Sequence, residues 1–160
     1  MIIRELIGAE IETVIPMLLQ AEESERALRW GLANLVDAVY CMEIEEQLIA
    51  AATLQWRGDL AEIIELAVHP HQHGRGHGRR MLAWVQAEAR GRNKTGLIVG
   101  TANSSIGNIA FYQRCGFRMD HVRRDYFSYY RQPVYEDGIQ IRDMLVFSID
   151  LAHPLIKEHP

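Results

Sequence analysis

Val68-His69-Pro70-His71-Gln72-His73-Gly74-Arg75-Gly76-His77-Gly78-Arg79-Arg80 decides how this chain is read, because it joins the end of an apolar run to the start of an amphipathic one. Upstream, Glu62-Ile63-Ile64-Glu65-Leu66-Ala67-Val68 is apolar and β-branched, a strand that Pro70 ends. Downstream, Met81, Leu82, Val85 and Ala89 fall at i, i+1, i+4 and i+8, one stripe of a helix, with Gly91 at the expected C-cap. Between them, Gly74, Gly76 and Gly78 leave backbone N–H groups uncovered where the helix begins. A helix N-terminus adds roughly half a positive charge and uncapped donors, so the loop suits a phosphate or pyrophosphate, with Arg75, Arg79 and Arg80 to neutralise it. It is not a P-loop, since Arg79-Arg80 stand where Lys and Ser/Thr are required. Nor is it a dinucleotide fingerprint, because the glycine spacing fails and the next strand, Thr95 to Thr101, carries no carboxylate.

Working outward, Ile2 to Ile7 reads as a first strand, and Pro16 to Ala21 and Ser24 to Val36 as helices, Pro16 sitting where its missing N–H is harmless. Val39 to Ile44 and Gln47 to Trp56 form a hairpin across Glu45-Glu46, and Gly58-Asp59 turns into the strand that ends at Val68. Beyond the glycine loop and its helix come the strand Thr95 to Thr101, a helix Ile106 to Cys115, and strands Phe117 to Val122 and Asp143 to Ile149. An antiparallel front half joined to a βαβ-like middle predicts a mixed α/β fold of α+β character and excludes a simple alternating doubly wound sheet.

The chain has 160 residues, 48% apolar and 24% charged, which suits one globular domain over 1–160 able to fold without disulfide or metal. Its formal charge of −4 supplies no basic field for nucleic acid. Cys41 and Cys115 form no CxxC pair, and Arg4, Glu5, Glu10 and Glu12 interrupt the N-terminus before any spanning run develops. A reducing, cytoplasmic setting with no membrane partner is therefore expected. His69, His71, His73 and His77 crowd the loop without an accompanying HExxH, carboxylate or cysteine pattern, so no metal is assigned to them.

The run from Glu62 through Arg80 resembles the acetyl-CoA-binding motif of the GNAT superfamily of N-acetyltransferases: a strand, Val-x-Pro, then [Gln/Arg]-x-x-Gly-x-[Gly/Ala]. The last part reads His73-Gly74-Arg75-Gly76-His77-Gly78, with His73 replacing the usual Gln or Arg. One helix and one strand downstream, Asn103-Ser104-Ser105-Ile106-Gly107-Asn108-Ile109-Ala110-Phe111-Tyr112-Gln113-Arg114-Cys115-Gly116-Phe117 is similar to a second motif of that family, closely at Phe-Tyr and Gly-Phe. The resemblance implies a mainly antiparallel sheet of about seven strands, helices on both faces, and a splay between the fourth and fifth strands.

It also implies acetyl-CoA as co-substrate and an amine of a small molecule or peptide as acceptor, with a non-catalytic acyl-CoA-binding domain as the alternative. Cofactor contacts are expected from Leu66, Ala67 and Val68, from His73, Gly74, Arg75, Gly76, His77, Gly78 and Arg79, and from Ser105, Tyr112 and either Asn103 or Asn108. Tyr112 is the expected acid for the leaving thiolate, its ordinary pKa near 10 leaving it protonated at neutral pH. Glu62 is the expected base, with Glu65 or water as the alternatives; residues three apart on an unbroken strand face opposite ways, and Glu62 aligns better with the carboxylate used in the histone-acetylating branch. The aromatic, acid-bearing segment after Val122 supplies Asp125, Tyr126, Tyr129 and Tyr135 as acceptor candidates, though such a patch equally suits core packing or a homodimer interface.

Overall fold

The computed structural model describes residues 1–22 and 24–152, so the expectation of one domain over 1–160 reaches beyond the described residues at 23 and 153–160. The strands are β1 (Ile2–Leu6), β2 (Ala38–Ile44), β3 (Gln47–Arg57), β4 (Leu60–Val68), β5 (Gly96–Ala102), β6 (Arg118–Arg123), β7 (Tyr135–Glu136), β8 (Ile139–Gln140) and β9 (Met144–Asp150). The α-helices are α1 (Ile15–Leu18), α2 (Glu25–Asn34), α3 (His77–Gly91) and α4 (Ile106–Arg114). Seven strands form one sheet in the order β1-β2-β3-β4-β5-β9-β6, antiparallel except for β4 beside β5, and β7-β8 stands apart as a hairpin. This is the mixed, mainly antiparallel sheet expected from the sequence.

Helices cover both faces. On one, Met81, Leu82, Val85 and Ala89 of α3 pack with Ala50, Ala52 and Leu54 of β3, and Tyr112 of α4 joins them. On the other, Val14, Ile15, Leu18 and Leu28 pack on Val39, Cys41, Ala51 and Ala67. Ser24 caps α2 by accepting from the Ala27 N–H at 3.2 Å, as its side chain and position suit. The segment before α1 departs from expectation, folding as a 3-10 helix over Gly8–Val14 and shortening α1 to four residues. Gly91 remains inside α3, and the left-handed turn falls on Asn93 at φ 58°.

Two irregularities of β4 shape the centre of the sheet. Its parallel pairing with β5 runs only from Leu60↔Gly96 to Ile63↔Val99, after which the strands part, which is the expected splay. At that point β4 also bulges: Thr53 pairs with Glu65 and the adjacent Leu54 with Ile63, so Ile64 has no partner on β3. The extra residue reverses the alternation. Leu66 pairs with Ala52, Ala67 with Ala51 and Glu62 with Gln55, which places Glu62, Glu65 and Ala67 on one face although Glu62 and Glu65 are three apart.

The segment between β6 and β9, given no strand in the reading from sequence, contains the β7-β8 hairpin, which turns through Asp137 (φ 51°) and Gly138 (φ 78°). Asp-Gly is the pair that two-residue hairpin turns select, so the signal stood in the sequence. Among the described residues no helix is long and apolar enough to cross a membrane.

The bulge is held by the Glu65 N–H donating to Thr53 Oγ1 at 2.9 Å, with Thr53 fully buried. Replacing Thr53 by Val keeps its shape and removes that acceptor. The expected loss of stability is about 1–3 kcal/mol by urea unfolding, with Thr53→Ser retaining most of the wild-type value.

Candidate active site

Three adjoining clefts line the splay. The first, of about 570 Å³, runs along the open edge of β4 and the N-terminus of α3. Its lining includes Leu66, Ala67 and Val68, the loop residues His73, Gly74, Gly76, His77, Gly78 and Arg79, and Asn108 and Tyr112 of α4. Gly74 (φ 73°) and Gly76 (φ 80°) adopt left-handed backbone, which glycine enters without steric cost, and Gly76 opens α3 with no side-chain cap. A β-carbon on Gly78 would sit 3.1 Å from the Phe111 ring, so glycine here lets α3 approach α4 closely. An uncapped helix start with basic side chains, beside a strand edge lacking a neighbour, fits a ligand with phosphates at one end and an amide-bearing arm at the other.

Not all the sequence candidates gather there. Arg75 is exposed outside the lining. His73 uses Nε2 to donate to the Val68 carbonyl at 2.7 Å, clamping the loop to the end of β4. Of the two asparagines, Asn103 is committed to chain geometry: its Nδ2 donates to the Gln140 carbonyl at 3.0 Å, and its Oδ1 accepts the N–H groups of Arg142 and Asp143 at 2.9 and 3.0 Å. Asn108 is exposed and lines the cleft. Ser105 and Ser104 donate to Glu136 Oε2 at 2.6 and 2.8 Å, which docks the β7-β8 hairpin on the start of α4. Among the described residues no three His, Cys, Asp or Glu side chains converge as a metal group.

The second cleft, of about 240 Å³, occupies the splay itself and is lined by Glu65, Leu66, Thr101, Asn108 and Tyr112. Tyr112 is buried, wedged against Phe111, Phe117 and Phe147 at ring separations of 5.3, 5.8 and 5.9 Å. Burial first, then the nearby Glu65 and Cys115, push its phenol well above the ordinary tyrosine value, so it keeps its proton at any working pH. Burial likewise pushes Glu65 up to about 8, and the charge of Glu22 adds to the shift. Glu62 shares the sheet face of Glu65 but not its surroundings. Its Oε1 accepts from Arg123 Nη1 at 2.9 Å, Arg57 Nη1 lies 3.3 Å from its Oε2, and it lines none of the three clefts.

The third cleft, of about 810 Å³, lies between α2 and the aromatic segment after β6. Tyr126 and Tyr129 line it as the sequence led one to expect, and Tyr130, Trp30 and Glu22 join them. Tyr129 and Tyr130 donate to the Glu22 carboxylate at 3.0 and 3.3 Å, and the Ser24 N–H donates to it at 2.9 Å. Asp125 lines a separate hollow on the far side of this segment, and Tyr135 stands 62% exposed on β7 away from all of these clefts. Glu22 was missed from sequence because nothing near it in the chain marks it. Its two tyrosine partners are more than 100 residues away.

The chain belongs to the acetyltransferase (GNAT) family, whose model matches residues 9–117 and so spans the glycine loop, both strands of the splay and Tyr112. Among curated proteins it is 33% identical over 99 residues to the uncharacterized N-acetyltransferase YvbK of Bacillus subtilis (strain 168). That match covers 61% of this chain and 64% of the relative, just under two thirds of its length. Among solved structures, an IAA acetyltransferase from Bacillus cereus ATCC 14579 is 32% identical with a TM-score of 0.83, covering 93% of this chain and 98% of that one. A GNAT family acetyltransferase from Elizabethkingia anophelis, solved with acetyl-CoA bound, is 28% identical with a TM-score of 0.84, covering 93% and 97%.

The Glu65 proton has a consequence for stability. Unfolded, Glu65 ionises near its ordinary 4.5, whereas folded it holds its proton to about pH 8, so the folded state binds more protons between these values. Its contribution is most favourable below about pH 4.5 and is lost as pH rises through about 8. Glu65→Gln therefore flattens the fall in urea midpoint between pH 5 and about 8 relative to wild type.

Proposed function

We propose that this chain transfers the acetyl group of acetyl-CoA to a primary amine by direct attack within a ternary complex, with Glu65 as base and Tyr112 as acid. The observation that carries the reading is that both side chains line one small cleft. That cleft opens to the glycine-loop cleft on one side, through Leu66, Asn108 and Tyr112, and to the α2 cavity on the other, through Glu22, Glu65 and Tyr126. Donor and acceptor can thus approach from opposite ends and meet between the base and the acid. Acetyl-CoA supplies an activated thioester, and the chain supplies position and protons.

The proton balance closes on these two groups. As the amine nitrogen bonds to the acetyl carbon and the carbon–sulfur bond breaks, Glu65 takes the proton the nitrogen loses and Tyr112 delivers one to the sulfur; the proton on Glu65 then returns to the tyrosinate through solvent, and both groups regain their starting states. A carboxyl held at about 8 is far better matched to an amine proton than an ordinary carboxylate, which makes it the more effective base. This favours Glu65 over Glu62, whose carboxylate is occupied by Arg123 and Arg57. Gly74, Gly76 and the N–H groups at the start of α3 would hold the phosphates, with Arg79 at the rim. The unpaired edge of β4 over Leu66, Ala67 and Val68 would take the pantetheine arm as an added strand.

Three measurements check this reading. Acetyl-CoA at 100 times its dissociation constant should stabilise the protein by about 2.7 kcal/mol in thermal or chemical unfolding. Tyr112→Phe should lower turnover by around 10²-fold or more with acetyl-CoA affinity nearly unchanged. In the wild type kcat/KM should rise with pH through about 8, and Glu65→Gln should be slower by about 10²-fold or more and lack that limb. Acetyl-CoA binding without transfer to any amine would leave a non-catalytic acyl-CoA-binding domain.

A further inference from the structure

We infer that the acceptor is a monoamine carried on a bulky apolar body, its nitrogen held at Glu22 and Glu65 and its body filling the cavity behind α2. This rests on the N-acetyltransferase reading above and specifies its second substrate. The cavity is polarised along its length. Glu22, Glu65 and the three tyrosines lie in the part it shares with the reaction cleft, whereas Trp30, Leu32, Leu35 and Val36 line the cavity alone. A cationic amine is drawn to the shared end by the Glu22 carboxylate, with Glu65 beside it and Tyr126, Tyr129 and Tyr130 lining the same end. At about 810 Å³ the cavity as a whole is of the size that encloses a small organic molecule rather than a methyl or ethyl group.

Charge decides against the other common amine classes. Among the described residues that line this cavity, the charged side chains besides Glu22 and Glu65 are Arg26 and Arg131, both cationic. A polyamine or an aminoglycoside would bring further ammonium groups into a space walled by leucines and arginines, with no carboxylate to receive them. An acceptor with one amine and an apolar body meets no such cost, and burying its body drives binding.

Glu22 is the specificity carboxylate here. Tyr129, Tyr130 and the Ser24 N–H hold it rigidly, so it faces the incoming cation without losing side-chain freedom on binding. Burial keeps Glu65 protonated, and the charge of Glu22 adds to that effect until an amine arrives. An ammonium placed beside them favours the ionised Glu65 that the reaction needs; it sheds one proton to solvent, and the neutral amine then attacks and loses its second proton to Glu65.

The test is acetyl transfer, read by CoA release and product mass, across straight-chain amines from butylamine to octylamine, 2-phenylethylamine, spermidine, kanamycin and an alanine-initiated peptide. The expected result is a kcat/KM that rises roughly fourfold per methylene along the alkylamines, with 2-phenylethylamine at least tenfold above spermidine, kanamycin and the peptide. Two variants probe the two ends of the site. Glu22→Gln, which can still accept from the tyrosines, should raise KM for octylamine by about 10- to 100-fold with a smaller change in kcat.

A β-carbon on Gly31 meets no atom within 4 Å, so Gly31→Leu should leave α2 folded, confirmed by an unreduced unfolding midpoint. It should lengthen KM selectively for the longer amines and flatten the chain-length series. A flat series in the wild type, or spermidine, kanamycin or the peptide preferred over the apolar amines, overturns the acceptor assignment while the acetyltransferase reading stands. If acetyl-CoA binds and no amine of any class is acetylated, both fall together.

Discussion

The parting of β4 from β5 after the Ile63–Val99 pair is the feature on which the rest of this site depends. A parallel pair buried in the middle of a sheet would ordinarily satisfy its backbone groups along its whole length and leave no room for a ligand. Here pairing stops part-way, and the open wedge becomes the cleft that holds Tyr112 and Glu65. The bulge at Ile64 falls at the same place and does a second job. By adding one residue it changes which side chains of β4 look toward α1 and α2, and so brings Glu65 to that face while leaving Leu66 and Val68 on the other.

Glu62 and Glu65 illustrate how much environment decides once orientation is settled. Both lie on the same strand and the same face, yet one is neutralised by two arginines and the other has an apolar, acid-flanked setting that holds its proton to about pH 8. The first arrangement ties β6 to β4 through Arg123 and so anchors the start of the aromatic segment. Removing charge partners and water, rather than adding any special group, is what makes Glu65 different.

The hairpin β7-β8 and the aromatic segment before it act as a strap rather than a free loop. Glu136 binds Ser104 and Ser105 at one end, Asn103 holds the chain at Gln140, Arg142 and Asp143, and Tyr129 and Tyr130 reach across to Glu22 near the start of α2. Asn103 and Ser105, which resemble the family's cofactor contacts, are thereby engaged in holding this segment, which supplies Tyr126, Tyr129, Tyr130 and Arg131 to the lining of the α2 cavity.

What the sequence determined by itself was whatever local chemistry can announce. The apolar periodicity of α3, the alternation of the strands, the glycine loop over Gly74, Gly76 and Gly78 and the Phe111-Tyr112 pair before Gly116-Phe117 were all legible, and with them the family. The Asp137-Gly138 turn was equally legible and went unread inside an aromatic stretch. What only the tertiary structure decided was the acceptor half. A bulge is a mismatch between two strands, so neither β3 nor β4 alone reveals that Glu62 and Glu65 share a face. A carboxyl's proton affinity depends on what surrounds it in space, and Glu22 acquires its place only when Tyr129 and Tyr130, remote in the chain, fold back onto it.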